Sequence, residues 1–418
     1  MGYVTPTPIQ AQAIPPLMQG RDLVGIAQTG TGKTAAFALP IINRMFADRR
    51  TMAGGAVRAL VVAPTRELAS QIAQSFRDLS AGMNLKITVI FGGVPYGAQI
   101  RALAGGLDVL VATPGRLMDH LENRQVSLRN VEFFVLDEVD QMLDLGFVKS
   151  IRKLARELPK ERQNLFFSAT MPADIRALAG ELLRNPAEVA VTPVAKTADR
   201  VDQTVFLVDA AKKKELLIEL FDDQDLSRVI VFTRTKRGAD KVSHALHEAG
   251  VDAVAIHGNK SQGQRERALE SFRGGKTRAL VATDIAARGI DIDGVTHVVN
   301  YEMPEVAEAY VHRIGRTARA GKAGQAFSLV DSSERDSLRA VERLVRLKLE
   351  TIERRGEAAA KARAPIRKYE APSQPQQKPR HRPHPDSRSA APRGAPRPMR
   401  SSAPGRSQTA NPKGRQGR

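Results

Sequence analysis

Short apolar runs rich in Val, Ile, Leu and Phe, each followed by an amphipathic stretch of helical period, recur along residues 22–330, and no other feature constrains the fold so tightly. The runs are 22–27, 59–65, 86–91, 109–113, 133–138 and 165–170. A strand that is apolar on both faces must be covered on both, and alternating helices supply the cover, so the pattern predicts mostly parallel sheets of the α/β class. The alternation pauses over the Pro-containing segment 191–202. It restarts with runs at 204–208, 229–233, 253–257, 279–284, 297–301 and 326–330. Two tandem units, 1–195 and 196–353, are predicted. Open α/β sheets bind ligands at the carboxyl ends of their strands, so functional residues are expected just after the runs.

The motifs fall there. After the first run come Ala27, Gln28, Thr29, Gly30, Thr31, Gly32, Lys33 and Thr34, then a helical stretch. Glycines let backbone N–H groups approach phosphates, Lys33 can reach β and γ oxygens, and Thr34 can offer its hydroxyl to Mg²⁺. The strict pattern has Gly where this chain has Ala27. The run at 133 ends in Asp137-Glu138-Val139-Asp140, a carboxylate cluster suited to the same nucleotide: Asp137 to hold Mg²⁺, Glu138 to orient and deprotonate the attacking water. In the second unit, His312 to Arg319 places Arg316 and Arg319 three residues apart, the spacing that puts them on one helical face. Arginines brought from a separate unit would clamp a γ-phosphate only when the units close, with an effect of about 10³–10⁵ in rate.

Charge is unevenly placed. Residues 354–418 carry 17 Lys and Arg against 3 acidic residues, so they hold +14 of the chain's +19, together with 11 of its 24 prolines and Tyr369 as their one aromatic residue. Such a segment cannot bury enough apolar surface to offset its ordering entropy, so a disordered basic Pro/Arg-rich tail is predicted, able to grip phosphates in a salt-sensitive way. There is no cysteine, which excludes disulfide scaffolds, thiolate metal sites and cysteine nucleophiles. No apolar run approaches the roughly 18–20 residues that span a bilayer, and the N-terminus lacks the pattern of a signal peptide. A cytoplasmic protein with no membrane partner is expected.

Taken together, an ordered series of motifs resembles the DEAD-box ATP-dependent RNA helicases, most closely the bacterial RhlE-like type, over roughly residues 2–350. The series is Pro8-Ile9-Gln10, the loop at Lys33, Pro64-Thr65-Arg66-Glu67-Leu68-Ala69, Gly92-Gly93, Thr113-Pro114-Gly115-Arg116, Asp137 to Asp140, Ser168-Ala169-Thr170, Val231-Phe232-Thr233, Ala282-Thr283-Asp284 leading to Arg288-Gly289-Ile290-Asp291, and His312 to Arg319. The resemblance implies two RecA-like parallel-sheet domains that close on ATP and RNA, with Mg²⁺ as cofactor. It implies RNA-stimulated ATP hydrolysis coupled to local, non-processive duplex unwinding or remodelling of RNA–protein particles.

It also implies roles, position by position. Gln10 reads adenine, and Asp291 contacts ribose from the second domain. Ser168 and Thr170 couple hydrolysis to strand opening, and His312 bridges to Asp140 on closure. RNA contacts fall to Arg66, Gly93, Thr113 and Arg116 in the first domain and to Thr233, Gly258, Thr283 and Asp284 in the second. Small residues at loop starts suit a phosphodiester track and 2′-hydroxyls of single strands and short duplexes, without base readout. Ribosome assembly and RNA decay are the family's general settings, so ribosomal particles and RNA-decay proteins are candidate partners. The chain departs from the family at Val139, where alanine is usual, and at Ala318, where glycine is usual. An aromatic residue found well upstream of Gln10 has no counterpart in the residues before it, which implies weaker adenine stacking or a longer start. Two rivals differ in what they lack: a DNA-directed motor would not need the 64–69 and 113–116 motifs, and a silent RNA clamp would not need Lys33, Asp137, Glu138, Arg316 and Arg319.

Overall fold

Both sheets form, and each carries one strand more than its apolar runs announce. The computed structural model describes residues 4–28, 30–191, 201–287, 292, 294–318 and 324–355. The first sheet comprises β1 (Leu23–Ile26), β2 (Val57–Val62), β3 (Ile87–Ile90), β4 (Leu107–Ala112), β5 (Phe133–Leu136), β6 (Gln163–Ser168) and β7 (Ala187–Ala190). The second comprises β8 (Val201–Leu207), β9 (Val229–Thr233), β10 (Ala253–Ile256), β11 (Ala279–Thr283), β12 (His297–Asn300), β13 (Gly324–Val330) and β14 (Glu350–Glu353). Every strand pairing within the two sheets is parallel.

The orders are β3-β4-β2-β5-β6-β1-β7 and β10-β11-β9-β12-β13-β8-β14. Counted from its own first strand, each sheet therefore has the same order. Each is covered on both faces: Ala59 and Val61 of β2 enter one core with the helices Pro8–Met18, Lys33–Ala47 and Arg66–Leu79, while Leu60 and Val62 enter the other. Full burial of one such aliphatic side chain contributes about 1.5–3 kcal/mol, which is what fixes the alternation of faces. Val139, in place of alanine, is fully buried in the second of these cores.

The helices after β1 and β8 begin at topologically equivalent lysines, Lys33 and Lys213. Lys213 is buried, and its ammonium pairs with Asp331 at 3.0 Å and with Glu334. Burial opposes ionisation of Asp331, but hydrogen bonds from Ser333 and Lys213 hold its pKa down at about 2.

The boundary expected at 195/196 lies outside the described residues. At the far end the pairing runs past residue 353: the Arg354 amide donates to the Leu207 carbonyl at 2.8 Å. The tail from 356 onward also lies outside the described residues. Among those described, no helix is long and apolar enough to cross a membrane.

Candidate active site and nucleic-acid interface

β1 delivers the chain to Ala27, whose amide donates to the Ser168 carbonyl at the end of the neighbouring β6. The turn that follows is held by Thr31 Oγ1 donating to the Gln28 carbonyl at 2.7 Å. Gly30 and Gly32 have φ of 82° and 93°, and no side chain caps the first turn of the helix at Lys33. A Cβ on Gly32 would stand 2.6 Å from Gln10 Nε2, so the loop is tight against that side chain. Gln10 is buried, accepts from the Thr7 amide at 2.9 Å and donates to the Gly32 carbonyl at 3.2 Å. It is thus both the capping residue of its helix and a brace on the loop. Thr29 lies outside the described residues.

β5 ends beneath this loop. Asp137 and Glu138 are each 2% exposed, and Glu138 adopts a left-handed conformation, φ 54° and ψ 54°. Such a backbone costs about 1–3 kcal/mol in a non-glycine residue and persists where the surroundings impose it. Lys33 Nζ lies 3.7 Å from Asp137 Oδ1 and makes no hydrogen bond. Burial, opposed by Lys33 and reinforced by Glu138 and Asp140, pushes the Asp137 pKa up to about 6. A buried carboxylate pair beside an ammonium that makes no hydrogen bond is a donor set for a phosphate and a hard divalent cation, with Thr34 on the adjoining turn.

Asp140 ties the carboxylate cluster to the end of β6. Its Oδ2 accepts from the amides of Ala169 and Thr170, both at 3.1 Å, and from Thr170 Oγ1 at 3.3 Å, while its own amide donates to Ser168 Oγ at 3.3 Å. From the second unit, His312 and Arg316 line a narrow crevice together with Gln28, Glu138 and Asp140. The expected helical face is not there. The helix Ala307–Ile314 closes at Gly315, and the chain turns left-handed at Ala318, φ 56°, so Arg316 sits in a turn past the helix end. It is held by Nε donating to the His312 carbonyl at 3.2 Å. Arg319 and Asp291 lie outside the described residues.

Two ion pairs were not legible in the sequence. Arg265 of the second unit donates to Glu67 of the first at 2.7 Å, both side chains being buried. Arg313 makes two bonds to Asp284, at 2.6 and 2.8 Å, and packs over Phe232. Asp284 therefore reaches the interface with its carboxylate already engaged.

The remaining residues form two edges at the strand ends. In the first unit the Arg66 guanidinium lies over Gly93, where a Cβ would fall 2.3 Å from Nη1. Burial lowers the Arg66 pKa first of all, and Arg265 and Arg116 add to this against Glu67, as expected of cations gathered without enough counter-charge. Arg116 donates to the Val94 carbonyl at 3.4 Å, beside Thr113 at the end of β4. In the second unit Thr233 and Thr283 end β9 and β11, and Gly258 lies in the turn after β10, against the Lys236 side chain. Lys236, paired to Asn259 at 2.9 Å, adds a cation there that the motif reading did not include.

Comparison with known proteins matches residues 7–178 to the DEAD/DEAH box helicase family and residues 212–321 to the helicase conserved C-terminal domain. The chain is 43% identical over 352 residues to the DEAD-box ATP-dependent RNA helicase CshA of Bacillus licheniformis, covering 84% of this chain and 71% of that one. It is 43% identical to the ATP-dependent RNA helicase CshA of Listeria monocytogenes, covering 84% and 67%. Among solved structures, S. cerevisiae Dbp5 bound to RNA and ADP BeF3 superposes with a TM-score of 0.72 at 30% identity, covering 84% of this chain and 90% of that one. The DEAD-box helicase Mss116 bound to ssRNA and UDP-BeF gives 0.74 at 27%, covering 84% and 76%.

Proposed function

The chain belongs to the DEAD/DEAH box helicase family, and from that premise we propose that it is an ATP-dependent RNA helicase whose two units, 1–195 and 196–353, close on ATP and RNA together. The observation that carries this reading is the crevice in which His312 and Arg316 of one unit meet Gln28, Glu138 and Asp140 of the other. The loop 27–34 and Lys33 bind the phosphates, and Gln10, braced on Gly32, presents its remaining amide valences to the adenine edge. Asp137 and Thr34 would hold Mg²⁺, which supplies charge neutralisation between β and γ oxygens. Glu138, aimed by its strained backbone, orients the attacking water and takes its proton. Arg316, with Arg319 following it, meets the charge that develops on the γ-phosphate, and Asp291 reaches the ribose.

RNA runs over Arg66, Gly93, Thr113 and Arg116, then over Thr233, Gly258, Thr283 and Asp284. Asp140 carries the coupling. Its carboxylate binds the turn Ala169–Thr170 and lines the same crevice as Glu138, His312 and Arg316, so a change at the γ-phosphate would reach the interface between the units through these residues. A grip renewed once per ATP opens short duplexes in place rather than by long travel. The RhlE-like placement rests on the motif series, since the similar relatives above are CshA helicases.

Glu138→Gln is the direct test. It keeps the shape of the site and removes the base, so nucleotide should still bind while RNA-stimulated turnover falls by at least about 10²-fold, the scale of general-base catalysis. Turnover near the parent rate would show that another group activates the water.

A further inference from the structure

Gln99, on the helix Tyr96–Leu103, is a buried carboxamide that joins three pieces of chain. Its Nε2 donates to the Phe91 carbonyl at 3.0 Å. Its Oε1 accepts from Arg116 Nη1 at 3.2 Å and lies 3.1 Å from His120 Nε2. A carbonyl on one side and a guanidinium on the other leave the amide only this orientation. His120 must then carry a proton on Nε2. Its Nδ1 lies 2.6 Å from Gln125 Oε1. Burial lowers the His120 pKa, and the hydrogen bond to Gln125 opposes this. Tyr96 stacks on the imidazole at 4.3 Å and 9°, and the Arg116 guanidinium lies 5.1 Å from the same tyrosine ring.

Phe91 opens the turn that carries Gly93, and Arg116 begins the neighbouring helix Pro114–Glu122. Besides the Thr113 amide bond to the Ile90 carbonyl at 3.1 Å, which continues the strand pairing, and the long Arg116 bond to Val94, it is Gln99 that ties these loops, at the ends of β3 and β4, to each other. Arg116 Nε is buried, makes no hydrogen bond and pairs with the Asp119 carboxylate at 3.5 Å, so the guanidinium is held by its own helix as well as by Gln99. We propose that Gln99 is a positioning residue for RNA, which sets the 91–94 turn and Arg116 as one rigid edge before the strand arrives. This rests on the reading of Gly93 and Arg116 as RNA contacts and adds to it the residue that makes them act together.

The test measures ATPase activity of the full chain against RNA concentration, separating half-saturation from turnover at saturation. Gln99→Met keeps length and volume but forms none of the three bonds, and Gln99→Ala removes the side chain. Each should raise the half-saturating RNA concentration about tenfold, the effect of losing a bond to a charged group, with saturated turnover and the KM for ATP within about twofold. If the alanine variant does not fold, the methionine variant carries the test. In an Arg116→Ala background, Gln99→Met should add less than about twofold, because the route to RNA is already cut. Unchanged half-saturation in Gln99→Met, while Arg116→Ala weakens RNA binding, overturns the proposal and leaves the RNA reading standing. A fall in saturated turnover with no change in half-saturation shows a general structural role and also overturns it. An Arg116→Ala variant with the parent's half-saturation defeats the RNA reading of Arg116 itself.

Discussion

Glu138 and Ala318 both sit at positive φ, 54° and 56°, and for different reasons. At Glu138 the strain aims a carboxylate. At Ala318 it marks a turn made tight by the close approach of Gly324 to Thr317 and Ala318, which explains why glycine is usual at that place in related chains. Asp137 has a different consequence. Its pKa of about 6 makes the folded, nucleotide-free protein the tighter proton binder between the ordinary value of 3.8 and about 6. The group's contribution to stability therefore declines as pH rises through that window and is constant above it. Magnesium–nucleotide binding through this carboxylate must displace the proton, so affinity for a magnesium-bound, non-hydrolysable ATP analogue should be flat above about pH 7 and fall by up to about tenfold per unit below about 6. Asp137→Asn should bind weakly with no such slope. A calorimetric titration across pH checks both, and a flat parent profile would remove Asp137 from the metal site.

At the scale of elements, the apolar runs announced the strands with neighbours on both sides and two edge strands, β3 and β10, whose Ile87–Ile90 and Ala253–Ile256 are still largely apolar and at least half-buried. β7 and β14 were missed because, unlike the other two edge strands, they bury almost nothing apolar: Ala187–Ala190 buries Val189 alone, and in Glu350–Glu353 only Ile352 is even half-buried. Two-faced burial leaves a signature in the sequence, and edge pairing through backbone alone does not. Several runs were also read too far, to Thr65, Glu138, Thr170 and Asp284, because the site loops continue the apolar strands they leave. The helical reading of Arg316 failed because the spacing between two arginines cannot reveal that Gly315 ends the helix. Most of the ATP-site residues were legible, since a strand, a loop and a helix in sequence place them; the Arg265–Glu67 pair was not, being made by residues 198 apart. The edge strand gives a test by truncation. Removing residues 350–418 uncovers β8 and should lower the unfolding midpoint and promote aggregation. Removing only 356–418 should leave the midpoint and the turnover at saturating RNA unchanged, while flattening the salt dependence of RNA affinity by about 0.7 in log–log slope for each phosphate that the tail neutralises. Equal melting of the two truncations would show that β14 is dispensable.

In the whole molecule, one sheet order is used twice, and the two copies treat the same lysine differently. Lys33 lies 3.7 Å from its carboxylate and makes no hydrogen bond, whereas Lys213, at the matching helix start, is closed over by Asp331 and Glu334 of its own unit. At that position of the second sheet the lysine is neutralised by protein charge. One nucleotide per chain, bound at Lys33, is therefore expected. Titration with a magnesium-bound, non-hydrolysable analogue should saturate at a single equivalent, and Lys33→Ala should remove that binding without uncovering another. The second half is therefore a respondent rather than a second engine. On the closure proposed above, each ATP consumed corresponds to one closing of the pair, so the work done on RNA per cycle would be limited to what a single such closure can deliver.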